Sequence, residues 1–283
     1  MGLVVAVSPS RLNTMQSCMT KYDLTYNQKW VSVTPPDYLE EGTLMHKMLA
    51  QYYKLKMHRS RWQQNKKTHA DIVDICVRVG NHTAVSMVLD YDKVENVIKS
   101  FREYCTFYAN DGWDNILFIE APAAKVLYES NELTILVEGI IDLGIGLSNC
   151  PVMPVDFKTA KQKKYPEEMS NQFIAYCWML GVHNIVVGKV GLQKTKQGAD
   201  KFQRHTLSYT QDIIDEWVSD TIWWVRHYLE LEKQDYYPKD RTSCDKYAGC
   251  IFKKVCMSDR LLREWKLRSR FEQRERKGFG GEL

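Results

Sequence analysis

Four cysteines constrain this chain more than any other residues. Cys18 stands alone near the start, and Cys244, Cys250 and Cys256 follow more than two hundred residues later, with five residues between neighbours. A single metal centre taking all four would tie the two ends of the chain together. The opening segment, Met1 to Ser10, is apolar but lacks the basic start of a secretory signal. A reducing, cytoplasmic compartment is therefore expected, where thiols are packing groups or metal ligands rather than disulfides. Two centres compete for four thiolates, a tetrahedral zinc ion and a cubane 4Fe-4S cluster. Zinc ribbons draw on close C-x-x-C pairs, and this chain has none. Reduced free thiols are the third reading. Cys76, Cys105 and Cys177 lie in apolar, helix-like stretches and read as packing residues, and Cys150 falls in the turn Ser148-Asn149-Cys150-Pro151.

The 283 residues, 44% hydrophobic, suffice for a full core. No stretch approaches the roughly 20 apolar residues of a membrane helix. The net charge of +4 is too mild to prove a nucleic-acid partner. Ser8-Pro9-Ser10 predicts a helix start. Pro35-Pro36 breaks the chain, and Glu40 to Met57 reads as a long helix with His46, Leu49 and Tyr53 at helical spacing. Two further helices, about 70–79 and 83–109, make residues 57–112 a helical insert. Strands follow at 124–128 and 133–137 around Ser130-Asn131, then at 138–147 and 152–158 around Ser148-Asn149. A helix from Pro166 to Gly181, strands at 185–192 and 202–209, and a long helix from Thr210 to about Lys233 complete the pattern. The order points to one α/β domain over residues 1–258 with a basic tail, 259–283.

Asp156 and Lys158 lie two apart on a predicted strand, so both leave one face while Phe157 turns into the core. Glu138 and Asp142 share a face of the neighbouring strand. If the two strands pair, Asp142 and Asp156 meet, and a divalent cation relieves their repulsion. Mg²⁺ or Mn²⁺ held there acidifies a water and neutralises a phosphate, and Lys158 orients the water or stabilises charge on phosphoryl oxygens. His46, placed after the small Gly42, is a further ligand. Gln172 and Tyr176 are helix neighbours that support Lys158 or contact a nucleic-acid backbone. Each piece alone has a plainer reading, such as a surface salt bridge or a structural histidine. The ordered set is rarer.

That set resembles the PD-(D/E)XK nuclease superfamily in its RecB-type branch. There a helix His, a Gly-x-x-Asp strand, an (Asp/Glu)-x-Lys strand and a Gln-x-x-x-Tyr helix occur in this order. Here they are His46, Gly139-Ile140-Ile141-Asp142, Asp156-Phe157-Lys158 and Gln172 with Tyr176, within about residues 8–258. The resemblance implies a restriction-endonuclease-like α/β core with a mixed central sheet, a helical insert and a C-terminal Cys-ligated cluster region. It implies metal binding by His46, Asp142, Asp156 and the carbonyl of Phe157, and catalysis by Lys158 with Asp156, Asp142, Gln172 and Tyr176. It also implies a 4Fe-4S cluster on Cys18, Cys244, Cys250 and Cys256, although relatives space the triplet C-x2-C-x5-C and this chain spaces it C-x5-C-x5-C. Glu120 and Glu138 are further acids without an assigned role.

The implied activity is that of a Mg²⁺- or Mn²⁺-dependent deoxyribonuclease, an exonuclease on single-stranded DNA or DNA ends. Similar CRISPR-associated and phage nucleases place it in recombination, repair or DNA processing, in a prokaryotic or phage-infected cell, as a homo-oligomer or with processing partners. The rival reading is a non-catalytic DNA-binding or assembly module. The absence of a Walker run argues against an ATP-driven motor. Lys54, Lys56, Arg59, Arg61, Lys66 and Lys67 around Trp62 suit a single strand with a stacked base, or equally a solvated helix end. Trp223 and Trp224 read as core, and Leu261 to Lys277 as a charged helix on DNA or in solvent.

Overall fold

The computed structural model describes residues 2–33, 37–58, 68–148, 150–160, 168–246 and 249–274. They form two compact units. The central unit takes Pro36–Ala123 and Ile140–Gln211, and the terminal unit takes Met1–Pro35, Ala124–Gly139 and Asp212–Leu283.

The chain opens with β1 (Leu3–Val7), α1 (Pro9–Ser17), α2 (Met19–Tyr22) and β2 (Trp30–Ser32). Helices α3 (Asp37–Met57), α4 (His69–Ser86) and α5 (Tyr91–Phe107) follow. Strands β3 (Ile116–Glu129) and β4 (Leu133–Leu147) carry residues of both units. Then come β5 (Cys150–Ala160), α6 (Asn171–Leu180), β6 (Asn184–Gly191) and β7 (Phe202–Ser208). The chain continues with α7 (Gln211–Lys233), α8 (Lys253–Cys256), α9 (Arg260–Arg270) and β8 (Phe271–Gln273).

In the central unit β4 and β5 pair antiparallel, β5 and β6 parallel, and β6 and β7 antiparallel. The parallel pair requires a crossover, which α6 supplies. Leu44, Met48, Leu49, Tyr52 and Tyr53 recur on one face of α3. They pack with Ile72 and Cys76 of α4, with Phe101 and Tyr104 of α5, and with Phe157 of β5. Burying each such side chain stabilises the fold by roughly 1.5–3 kcal/mol. In the terminal unit β1 runs parallel to β4, with Val5 opposite Ile135, and β2 pairs antiparallel with β8. Among the described residues, Val7, Leu12, Ile135, Val137, Ile214, Trp217 and Val225 are buried there, and two further cores form. One joins Leu24, Trp30, Phe252, Val255, Leu267 and Phe271, and the other joins Met15, Met19, Tyr22, Tyr228 and Leu231.

The mixed α/β architecture matches the expectation, and several details differ. The strands predicted at 133–137 and 138–147 are one strand, because Ile135, Val137, Ile141, Leu143 and Ile145 keep period-two burial straight through Gly139. Helix α4 runs on past Gly80, where Met48 fills the space a side chain would need. Asp90 then caps α5 by accepting the amides of Asp92 and Lys93. Helix α6 spans Asn171–Leu180, after Ser170. Trp223 is 56% exposed and stacks on His227, because the buried stripe of α7 runs through Ile214, Trp217, Thr221, Val225 and Tyr228. Lys56 is no surface cation: it is buried and paired with Asp111. Pro35-Pro36, Arg59, Arg61, Trp62, Lys66, Lys67, Asn149, Pro166 and the tail from 275 lie outside the described residues. Among the described residues, no helix is long and apolar enough to cross a membrane.

Candidate active site and cysteine cavity

His46 comes from α3, one turn after Gly42. A Cβ at Gly42 would stand 3.1 Å from Thr159 Oγ1 of β5, so glycine lets the helix lie close against the strand. His46 Nδ1 lies 3.4 Å from Asp142 Oδ2. Asp142 stands just before Leu143, which pairs with Val155 across the β4–β5 ladder. Its Oδ2 accepts the Phe157 N–H at 2.7 Å, so a carboxylate serves where a backbone carbonyl would otherwise bond. Glu120 of β3 completes a trio. The ligand atoms of His46, Glu120 and Asp142 all lie within 4.8 Å of one another. Glu120 has a φ of 47°, a left-handed conformation that costs a non-glycine residue on the order of 1–3 kcal/mol. Strand periodicity carries no sign of that turn. The one hint in the sequence is an acid inside the apolar run Leu117-Phe118-Ile119-Glu120-Ala121. Glu138 is not among the three.

Asp156 is 1% exposed. Its Oδ1 accepts an N–H of Gln172 at 2.9 Å. Lys158 Nζ lies 2.8 Å from Oδ2 and pairs with it by charge. Gln172 gives its second N–H to Tyr176 Oη at 2.9 Å, and its Oε1 accepts from Lys158 Nζ at 2.7 Å. That wiring fixes the amide, since the opposite orientation would set its NH₂ against an ammonium. Tyr176 is buried and donates to the Ile140 carbonyl, which places it behind Gln172 and away from any bound backbone. The ring of Phe157 turns to the opposite face and stacks on Tyr53. Lys158 remains half-exposed above this network.

The electrostatics leave the site short of positive charge. Burial pushes Asp156 up to about 6, with the Lys158 ammonium opposing the shift and the Asp142 carboxylate adding to it. Burial and the Asp142 charge raise Glu120. Burial favours a neutral His46 ring, but the hydrogen bond and charge of Asp142 outweigh it and raise the proton affinity. Carboxylates that hold protons this readily gain most from a cation. The imidazole of His46 with the carboxylates of Glu120 and Asp142 fits a divalent ion of the Mg²⁺, Mn²⁺ class, and Asp156 is not one of the three.

The terminal unit holds a second feature. Cys18, Cys244, Cys250 and Cys256 line one cavity of about 340 Å³, together with Lys21, Lys239, Arg241 and Lys253. All eight cysteines are thiols. Thr20 donates its hydroxyl to the Tyr237 carbonyl at 2.6 Å, which ties the Cys18 end to the later segment. The Cys250 N–H donates to the Cys244 carbonyl at 2.9 Å and curls the triplet loop. The cations would offset the charge of four thiolates. Among the described residues, no three of these sulfurs meet the 4.8 Å spacing that the His46 trio satisfies.

Residues 6–257 match the family model of the PD-(D/E)XK nuclease superfamily. Among curated proteins none matches the sequence. A candidate exonuclease from Eubacterium rectale is similar in structure, with a TM-score of 0.51 and 10% identity over 89% of this chain and 94% of its own. The structure of SSO0001 is 15% identical over 62% of this chain and 74% of its own, with a TM-score of 0.37. At these identities the first likeness speaks to the fold, and the second carries no weight.

Proposed function

The chain belongs to the PD-(D/E)XK nuclease superfamily, and from that premise we propose that it is a Mg²⁺- or Mn²⁺-dependent deoxyribonuclease, an exonuclease on single-stranded DNA or DNA ends. One observation carries the reading. The buried Asp156 pairs through Oδ2 with the Lys158 ammonium, and Gln172 bonds to both side chains. An acid–lysine pair with no catalytic task has no need of such a clamp. His46, Asp142, Asp156 and the Phe157 carbonyl would hold the ion, with Glu120 as an added ligand. A divalent ion bound there lowers the pKa of a water and neutralises a phosphate oxygen. Lys158 has three N–H donors. Two face Asp156 and Gln172, and the third stabilises charge growing on the phosphoryl oxygens. Gln172 and Tyr176 are positioning residues that act through Lys158 and Asp156. The four cysteines hold a 4Fe-4S cluster with a structural task, and the enzyme serves recombination, repair or the processing of phage or CRISPR-associated DNA.

The test uses end-labelled single-stranded DNA with Mn²⁺ or Mg²⁺, with open and blocked ends in parallel. Wild type should degrade the open strand, and Asp156→Asn and Lys158→Ala should not. Equal degradation by all three proteins would defeat the assignment of these residues. Cutting of the blocked strand would replace exonuclease with endonuclease. A colourless, zinc-loaded protein purified without oxygen would defeat the iron centre.

A further inference from the structure

A groove of about 1000 Å³ runs along α9 within the terminal unit. It borders the cysteine cavity and shares Lys239, Arg241 and Cys256 with it. Lys239, Arg241 and, from α9, Arg260 and Arg263 line the groove, and Tyr236 adds an exposed aromatic ring. Charge is concentrated here. Lys253 to Arg270 holds seven basic and two acidic residues, net +5, against +4 for the whole chain, so everything else is slightly acidic.

Five cations and three acids, Asp23, Asp235 and Glu264, line the groove, a net of +2. Glu264 pairs with Arg268 at 2.8 Å, and Asp23 accepts the amides of Asn27 and Gln28 at 3.1 and 2.7 Å. Arg260 is exposed in the first turn of α9, the end where the helix dipole disfavours a cation. A helix gains nothing from that placement by itself. Tyr236 is 62% exposed. Several cations in one groove beside an exposed aromatic ring match a chain of phosphates carrying unstacked bases. A compact anion would need only one such point.

We propose that this groove grips single-stranded DNA, the enzyme's own substrate strand. The inference rests on the nuclease reading, but it concerns binding and not cleavage. The probe is a fluorescein-labelled single strand of roughly 20 nucleotides, longer than a single-fold site, titrated by anisotropy in EDTA so that nothing is cut. Arg260→Glu should weaken binding about tenfold and lower the salt slope by roughly 0.7 for each phosphate left without its cation. Tyr236→Ala should weaken binding about fivefold or more, as removal of a stacking partner does, with the slope kept. Arg260→Lys should bind as wild type does, and matching melting curves keep folding out of the comparison. Equal affinities for wild type, Arg260→Glu and Tyr236→Ala would overturn the proposal and leave the face to a protein partner. Failure of wild type to bind the strand would overturn it too. Failure of the nuclease reading appears separately, as absence of Mn²⁺-dependent cutting by a protein that still binds.

Discussion

Asp156 is held where its charge is least welcome. Burial pushes its carboxyl up to about 6, so at neutral pH the folded protein carries a strained anion. Asp156→Asn removes that charge and keeps the shape. In metal-free buffer the variant should melt higher by roughly 2–4 °C, on the order of 1 kcal/mol, while losing cleavage, a trade common at functional sites. A lower melting temperature for Asp156→Asn in scanning calorimetry would mean that the anion contributes to the fold. Lys158 is half-exposed and touches no proposed ligand other than Asp156. Lys158→Ala should therefore lower the cleavage rate about 10²–10³-fold yet keep the stabilisation that Mn²⁺ gives wild type in a melting assay. Asp142→Ala should lose both. The residues of this site were legible wherever chemistry follows spacing. Asp156-Phe157-Lys158 declares its shared face through strand alternation, and Gln172 with Tyr176 through the helix repeat. Glu120 was not legible as a member of the trio, because it reaches His46 and Asp142 through a left-handed backbone that no periodicity encodes.

Elements meet at this site through two devices, one made by a missing side chain and one by buried charge. Gly42 brings α3 against β5, with Thr159 Oγ1 as the nearest atom to its absent Cβ. Gly42→Val should cost roughly 1–3 kcal/mol by overpacking and reduce cleavage further than stability, since it displaces the helix that carries His46. Adding Thr159→Ala, which removes the opposing atom, should restore part of both, and a double-mutant cycle measures the coupling. Strict additivity would show that the two elements do not meet there. The second device is Asp111, 1% exposed, paired with Lys56 of α3 and at 2.7 Å with Arg204 of β7. Tyr53 and Tyr104 add hydroxyls to the same arginine. Burial alone would raise the Asp111 carboxyl, but Lys56 and Arg204 outweigh it and hold it below the usual range. A carboxylate with a depressed folded pKa stabilises above its unfolded pKa of about 3.9 and loses that contribution as pH falls through the folded value. Wild type should thus show a melting temperature falling steeply below about pH 4. Asp111→Asn, which strands two buried cations, should be about 3–5 kcal/mol less stable at neutral pH and show a weaker acid dependence. An identical acid slope would remove Asp111 from the account. Amphipathic helices such as α3 and α7 were legible because one buried stripe repeats along each. The continuity of β4 was not, since Gly139 carries a local signal that tertiary burial overrides.

Across the whole molecule the main question is what keeps the terminal unit together, since its residues come from three separate stretches of chain. The sequence shows no linker at the divisions because two of them, at Ala123/Ala124 and Gly139/Ile140, fall inside β3 and β4. A change of composition marks a boundary only where the chain leaves its secondary structure. The early cysteine and the late triplet were legible in a different way, as thiols with no partner nearby in sequence, and one cavity gathers them. Cys18 comes from the first stretch and Cys244, Cys250 and Cys256 from the last, with over two hundred residues between. By the loop-closure model for disulfides, a crosslink of that span removes unfolded-chain entropy worth about 5 kcal/mol at most. On the proposed cluster reading, that contribution adds to the packing around Met15 and Phe252 in keeping the first and last stretches paired. Cys18→Ser, or removal of the metal from wild type, should therefore open the terminal unit first. Limited proteolysis read by mass spectrometry should then cut within 1–33 and 212–274 well before the α3–α5 and β5–β7 region, with a lower melting temperature. Cuts appearing first between α3 and α5, or a cleavage pattern identical to wild type, would show that the cysteines bind no structural centre and that packing alone holds the ends.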